Sequence, residues 1–526
     1  MTSNMDVSLP AGWVIAGLSD LASINPRFDR SILDDSTPVT FVPMSSVDVG
    51  FAGIQRPETR TYSEVKKGYT AFVTGDVIFA KITPCMENGK GGVVKGELDQ
   101  PFFGSTEFHV FRPRREVNAN WIAYYLSQEQ FRRSARLKMK GSAGQLRVPT
   151  TFLENVALPL PPADEQTRIL DHIDELFTDL DAGVAALVRV QKKLKRYRAA
   201  LLHAAVTGRL TADWRAKHGD GGESGKQLLK RILVARRKDW EERTLADYEA
   251  KERTPPTGWE SRYPEPVLPE LEGVTTIPSS WSTASLEQLC FVSSGTTPKR
   301  GQERFWSNGI IPWVTSTVVN DEYVDEASEF VTVEALNETG LRLYPVGTLL
   351  IALYGEGKTR GKVSELRIES TINQAMAAMT WFAESHPLTT YIKCVLAEMY
   401  EKLRREAAGG VQPNLNAGIV KKVEIPLPPK KEADVVVDLV DQRMSQIDTM
   451  QNEVNRGLRR ASRLRQAILK AAFEGKLVPQ NPDDEPAAEL LARIQAEVNA
   501  EVDAAPKRTT RKRKAAKRKT QSADGR

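Results

Sequence analysis

The sequence predicts an α+β fold. Two mixed α/β globular domains are separated by two long helices, which pair as an antiparallel intramolecular coiled coil and give the chain a pseudo-two-fold internal duplication. Three observations predict it: a segment repeated at constant spacing, a heptad run after each copy of a PLPP motif, and a looser correspondence between the stretches that precede those motifs.

The repeat is the firmest of the three, and a repeat decides architecture before any single element does. KKLKRYRAALLHAAVTGRL at 192–210 aligns without a gap to RRASRLRQAILKAAFEGKL at 459–477, an offset of 267 with eight of 19 positions identical. At the same offset PLPP at 159–162 falls on PLPP at 426–429, and Gln145 falls on Gln412. Upstream the offset drifts from 267 to 272: LPAGW (9–13) resembles IPSSW (277–281), FVPMSSVD (41–48) resembles IIPWVTST (310–317), and VTGDVIFAKI (73–82) resembles YPVGTLLIAL (344–353). A strict frame around divergent interiors is the pattern of a structural scaffold carrying variable reading heads.

After each PLPP, apolar residues recur every seven positions: Ile173, Leu180, Leu187, Leu194 and Leu201, then Val440, Ile447, Val454, Ala461 and Ile468. Leu176, Val190 and Tyr197, or Met450, Leu464 and Ala471, complete an expected a/d seam. Pro162 and Pro429 sit where a helix can begin, and Gly208 and Gly475 where one is capped. Each helix is expected to run for about 45 residues, roughly 65 Å. Two heads more than one DNA turn (~34 Å) apart could address two half-sites separated by unread base pairs.

Within each domain the apolar runs at 72–82 and 346–354 predict strands, and 121–136 and 387–405 predict helices. Between strand and helix lies a Gly-rich basic loop, KITPCMENGKGG (81–92) in one copy and YGEGKTRGK (354–362) in the other. Glycine allows close backbone approach, Lys and Arg suit phosphates and guanine edges, and Asn, Glu or Thr suit other base edges. The candidate DNA-binding residues are therefore Ser45, Ser46, Lys81, Thr83, Asn88, Lys90 and Gln145 in the first copy. In the second they are Thr315, Ser316, Thr317, Tyr354, Glu356, Lys358, Thr359, Arg360, Lys362, Gln412 and Asn414.

Composition narrows the alternatives. The chain has 526 residues, a net charge of +5 and three cysteines, Cys85, Cys290 and Cys394, in no metal-binding or disulfide spacing. Ten Lys/Arg against Asp524 in 506–526 give that tail +9, so the rest carries 5 − 9 = −4. Sequence recognition must therefore come from the folded part, with the tail adding at most salt-sensitive attraction to phosphates. No apolar run reaches the roughly 18 residues of a membrane span and the N-terminus lacks the order of a signal peptide, so a cytoplasmic location is expected.

Chemistry finds little support. ALYGEGKT at 352–359 meets a relaxed nucleotide-binding pattern, but the residues after it read as a strand, whereas a phosphate cradle must open a helix. Asn25-Pro26-Arg27-Phe28 lacks the second proline of amino-methylating enzymes. His109, His172, His203, His218 and His386 are scattered without evident partners. No catalytic residue and no metal site is expected. A two-headed protein-binding adaptor without sequence preference, and a nucleotide-driven enzyme using Lys358, are the alternative readings.

PLPPADEQTRILDHIDELF (159–177), LLHAAVTGRLTADWR (201–215), LLKRILVARRKDWEE (228–242) and LKAAFEGKLVPQNPDDEPAAELLARI (469–494) resemble the specificity (S) subunits of type I restriction-modification systems. The resemblance covers roughly 9–500. It implies target recognition domains at 1–160 and 276–427, a central conserved region at 161–275 with a long helix over 163–207 and a helical, Pro-rich linker, and a C-terminal conserved region at 428–505 with a long helix over 430–474 and a short one after it; the basic tail at 506–526, expected to be disordered, lies outside it. It further implies that each recognition domain reads half of a bipartite site in double-stranded DNA, while the helices set the spacer and dock two modification (M) subunits. S-adenosylmethionine would sit on those partners, ATP and magnesium on restriction (R) motor-nuclease subunits, and no cofactor or catalytic residue on this chain. KKEADV (430–435) replaces ADEQTR (163–168), so the Glu-Gln pair of the first helix start is missing from the second.

Overall fold

The computed structural model describes residues 9–97, 100–142, 144–218, 222–269, 276–354, 359–408 and 415–504. The chain divides into two units, Met1–Leu187 with Arg456–Arg526 and Val188–Asn455. Each long helix supplies residues to both.

In the first unit one sheet has the order Ala22–Ile24, Phe108–Pro113, Val77–Ala80, Gly91–Val93, and a second has the order Glu58–Thr61, Pro38–Val42, Pro101–Gly104, Thr70–Val73. Val77–Ala80 is buried along its whole length, as a short uninterrupted apolar run should be. The second unit repeats the plan: Cys290–Ser294, Met376–Trp381, Leu349–Ala352, Val363–Leu366 and Tyr323–Val324 form one sheet, and Glu329–Val331, Ile311–Val314 and Thr371–Ile372 the other. Pro38–Val42 runs parallel to Pro101–Gly104, as Ile311–Val314 does to Thr371–Ile372. The duplication thus extends to strand order. It also shows a one-residue slip in the sequence alignment: Ala80 pairs with Phe108 and Ala352 with Met376 at matching strand ends, so Leu353, not Ala352, stands where Lys81 does.

Each expected domain helix is broken in two. Ala119–Ser127 is followed by Glu129–Lys138, with Gln128 extended at φ −64°, ψ 137°. The break leaves the Glu129 amide free to donate to Gln466 Oε1 at 2.7 Å. In the second unit the run at 387–405 is a short 3₁₀ turn, His386–Leu388, then Thr389–Glu398 and Tyr400–Ala408. Helical periodicity alone does not register such a break, because the apolar face continues on both sides of it.

The long helices are Ala163–Val206 and Lys430–Phe473, 44 residues each. Their pairing is antiparallel within both units. Asp181 forms an ion pair with Arg465 and Leu187 lies against Gly457 in the first; Gln191 approaches Asn455, and Arg198 pairs with Asp448, in the second. The seam is narrower than the heptads predict. Ile173, Leu194, Leu201, Val440, Ile447, Val454 and Ile468 are buried, but Val190, Tyr197, Met450 and Leu464 are 41–54% exposed. Two helices bury one stripe each, and the flanking apolar positions stay in solvent.

What anchors each helix start is a buried carboxylate. Trp13, in the PAGW motif, donates its indole N–H to Glu165 Oε2 at 2.9 Å, and Trp281, in PSSW, donates to Glu432 Oε2 at 2.8 Å. Both carboxylates are 1% exposed. The second oxygen of Glu165 accepts from Gln480 Nε2 at 2.7 Å; that of Glu432 accepts from Thr211 Oγ1 at 2.6 Å and from Arg215. The two helix starts are therefore alike at the glutamate. Gln166, which donates to the Pro161 carbonyl at 3.0 Å, and Arg168, which pairs with Asp484, have no counterparts, since Ala433 and Val435 stand in their places.

The same motif meets the turn at the end of the other helix. Gly475 (φ +64°) and Gly208 (φ +70°) adopt the left-handed conformation that ends a helix. A Cβ there would lie 2.3 Å from Pro10 Cγ or 2.5 Å from Pro278 Cγ, so glycine is required twice over. Strand Val14–Gly17 then pairs with Ala157–Leu160, and Ser282–Ser285 with Glu424–Leu427, which fixes PLPP beside its tryptophan.

Replacing Glu432 with alanine should destabilise the second unit by about 3 kcal/mol, because Arg215 and the Trp281 N–H lose their shared acceptor. Trp13→Phe in the first should cost less, about 1–3 kcal/mol, since it removes one donor from Glu165. Urea unfolding followed by circular dichroism measures both, and midpoints equal to that of the unsubstituted chain would contradict these roles.

Candidate nucleic-acid interface

In the first unit the expected residues form two groups. Strand Pro38–Val42 leads into the turn Met44–Ser46, where Ser45 is exposed and Ser46 is buried with its hydroxyl donating to the Arg56 carbonyl at 2.9 Å. Lys90 donates from Nζ to the Met44 carbonyl at 2.8 Å, which lays the glycine-rich loop against that turn. Asn88 is exposed at the tip, its carbonyl accepting from the Gly50 amide at 3.1 Å. Ser45 and the Asn88 side chain face solvent, whereas Ser46 and Lys90 are occupied in holding the turn.

Lys81, Thr83 and Gln145 make the second group. The Lys81 amide donates to the Glu107 carbonyl and its own carbonyl accepts from Val148; the Thr83 amide donates to Leu146. Gln145 is exposed. Sequence reading missed the groups that organise this corner. Arg147 grips Glu107 at two points, 2.8 and 2.9 Å, and this hydrogen bonding holds the Glu107 carboxyl below the usual carboxylate range. His109, 3% exposed, has a ring nitrogen 2.8 Å from the Val148 carbonyl and the other 3.1 Å from Asn25 Nδ2. Asn25 sits at φ +52° and also accepts from the Val110 amide at 3.0 Å. Histidine 109 is thus not the partnerless residue that its position in the chain suggested. Its partners lie 39 and 84 residues away, beyond any local pattern.

In the second unit the hydroxyls of Thr315 and Thr317 are 2.7 Å apart, with Ser316 half-buried between them. Asn320, unmarked by the sequence reading, ties this turn to the basic loop: its Nδ2 donates to the Thr317 carbonyl at 3.0 Å, and its Oδ1 accepts from Lys362 Nζ at 3.1 Å and Thr359 Oγ1 at 3.4 Å. An Asn three residues after a Thr-Ser-Thr run was the available signal. Arg360 is half-buried, with Nε lacking a partner among the described residues, and Tyr354 is 41% exposed. Glu356, Lys358, Gln412 and Asn414 lie outside the described residues.

Both units therefore bring a Ser/Thr turn and a basic loop together, through Lys90 in one and Asn320 in the other. Beyond Thr359 the chain enters the strand Val363–Leu366, not a helix, and pairs with Leu349–Ala352. Among the described residues no group of three or more His, Cys, Asp or Glu could hold a metal ion.

Comparison with known proteins places these features in context. The family model for the type I restriction modification DNA specificity domain matches twice, over residues 10–188 and 278–458. The EcoEI specificity subunit of Escherichia coli is 41% identical over 169 residues, 32% of this chain and 28% of that protein. The EcoAI subunit of the same organism is 40% identical over 174 residues, 33% and 29% of the two chains. The matches thus span under a third of those two relatives. The EcoKI specificity subunit of Escherichia coli (strain K12) is 23% identical over 527 residues, 92% of this chain and 95% of that one. A chain solved in work on complex assembly and conformational transition of the type I R-M system has the same fold, with a TM-score of 0.63 at 19% identity, over 89% of this chain and 100% of that one.

Burial holds the His109 imidazole below the ordinary histidine value of about 6.5. A base with a depressed folded-state pKa contributes stability that is complete above its unfolded value and is lost as pH falls through that value toward the folded one. The chain should therefore lose stability as pH falls below about 6.5, and His109→Gln should flatten that slope. Chemical denaturation across this range tests it; identical slopes for the two proteins would refute it.

Proposed function

We propose that this chain, which belongs to the type I restriction modification DNA specificity family, is the DNA sequence-recognition subunit of a type I restriction-modification complex. Each recognition domain reads one half of a bipartite double-stranded target, and the paired long helices set the unread spacer between the halves and dock two modification subunits. The chain itself carries out no chemistry. S-adenosylmethionine belongs to the modification subunits, and ATP with magnesium to the restriction subunits that complete the assembly.

The observation that carries this reading is one framework with two different sets of side chains. Strand order, parallel pair and helix-start carboxylate recur in both units, while the loops after equivalent strands present Ser45, Asn88 and Gln145 in one and Thr315, Thr317, Asn320 and Lys362 in the other. Base edges differ in their pattern of donors and acceptors, so two loops with different polar groups select two different half-sites. Ser45, Ser46, Lys81, Thr83, Asn88, Lys90, Gln145, Thr315, Ser316, Thr317, Tyr354, Thr359, Arg360 and Lys362 are the described candidates for DNA contact. Within that set, Ser46 and Lys90 act by holding the loop. A helix of 44 residues spans about 66 Å, ample for a spacer longer than one DNA turn.

Assembled with its modification subunits, the full chain should enrich one gapped motif from random DNA, and no enrichment at moderate salt would sink the reading. A heptad inserted in only one long helix should change the preferred spacer or abolish binding while both half-site sequences stay as they were. Altered half-site sequences would count against the division of labour between heads and helices.

A further inference from the structure

A cleft of about 440 Å³ opens in the first recognition domain where the loop after Ala22–Ile24 meets Lys81, lined among others by Asn25, Arg27, Arg30, Tyr69, Lys81 and His109. None of its lining residues is acidic. Its polar groups divide into two kinds. Two of those able to read a base edge are already engaged: Asn25 is bonded to His109 and the Val110 amide, and His109 to the Val148 carbonyl. The cations are not. Among the described residues, Lys81 Nζ and the Arg27 guanidinium make no hydrogen bond or ion pair, and Arg30 makes only a single bond to the Tyr69 carbonyl at 3.1 Å. The nearby carboxylate, Glu107, is held by Arg147 at two points and attracts Lys81 through space without a hydrogen bond to it.

We propose that this cleft seats one phosphodiester of the DNA backbone, held by Lys81, Arg27 and Arg30, and that it positions the first half-site without reading it. The inference rests on the DNA-reading function above and assigns to Lys81 a role different from base contact. Phosphate contacts fix register and orientation, whereas base-edge contacts carry sequence. Unpaired cations surrounded by satisfied hydrogen-bonding groups belong to the first class. Burial already holds the Lys81 ammonium below its ordinary value in spite of the attraction of Glu107, so an incoming anion would stabilise a charge that the fold compensates only in part.

The second domain is built differently at the same place. Leu353, 2% exposed, occupies the Lys81 position: its amide donates to Ala375 and its carbonyl accepts from Leu415, as those of Lys81 do with Glu107 and Val148. Ser293, which takes the place of Asn25 in the second domain's sheet, is bonded to the Tyr344 hydroxyl at 2.9 Å. Arg300 is paired with Glu329 and stacked on Trp306 and Trp313 at 3.9 and 4.7 Å, so it is not free for a phosphate. The two heads are therefore unequal at this place, and the second has no counterpart of the Lys81 side chain.

The test measures binding of the full chain, assembled with its modification subunits, to its selected gapped duplex across a salt series. Lys81→Gln and Arg27→Gln should each lower affinity and reduce the slope of log K against log salt by about one. Both half-site sequences should remain unchanged in a selection, and Lys81→Arg should keep the unsubstituted slope. Arg27 is exposed and unpartnered among the described residues, so its variant keeps the test informative if Lys81→Gln proves unstable. Unchanged slopes in complexes that still select their motif overturn the phosphate seat and leave the DNA-reading function standing, as does a changed base preference in the first half-site. Failure of the unsubstituted complex to select any motif overturns the function and the seat together.

Discussion

A carboxylate buried at the first turn of each long helix, hydrogen-bonded to a tryptophan more than 150 residues earlier, is the constraint on which the rest of the fold depends. Leaving Glu165 or Glu432 unpaired in an apolar setting would cost several kcal/mol, so each must gather donors from whatever chain is near. The first collects Trp13 and Gln480, the second Trp281, Thr211 and Arg215. In each unit three segments distant in sequence are thereby held at one point: the entry to the domain, the start of one helix and the exit from the other.

That knot explains why the frame tolerates no drift while the interiors do. The Pro and Trp of each entry motif pack on a left-handed glycine, where even a methyl group would collide with the proline ring. Strand pairing then places PLPP, and hydrogen bonds from Trp121 to the Pro159 carbonyl and from Tyr391 to the Pro426 carbonyl tie the domain core to it. None of these contacts involves the loops at the far ends of the sheets. Loop residues can change without disturbing the scaffold, which is what a recognition module with variable specificity requires.

The helices carry a second constraint with a visible limit. Two antiparallel helices bury one stripe apiece, and ion pairs such as Arg465 with Asp181 and Arg198 with Asp448 run along the flank of that stripe. The heptad positions Val190, Tyr197, Met450 and Leu464 stay exposed because a two-helix pair has no third surface to cover them. Their periodicity was legible, but their burial was not, since the number of neighbours around a helix is a property of the assembly of elements.

The sequence by itself determined the duplication, the two long helices to within a residue of their ends, their glycine caps and the strands at the centre of each domain. All of these rest on periodicity or on local backbone preference, which a single chain records directly. The tertiary structure decided the rest. It broke each domain helix in two and gave Glu432 a tryptophan donor as it gave Glu165, with Thr211 and Arg215 in place of Gln480. It drew Asn320 into the second site, locked His109 onto Asn25 and Val148, and left Lys81 and Arg27 beside one cleft with no hydrogen bond or ion pair among the described residues. Each of these depends on which side chains from remote segments meet, and on which hydrogen-bonding groups they consume when they do.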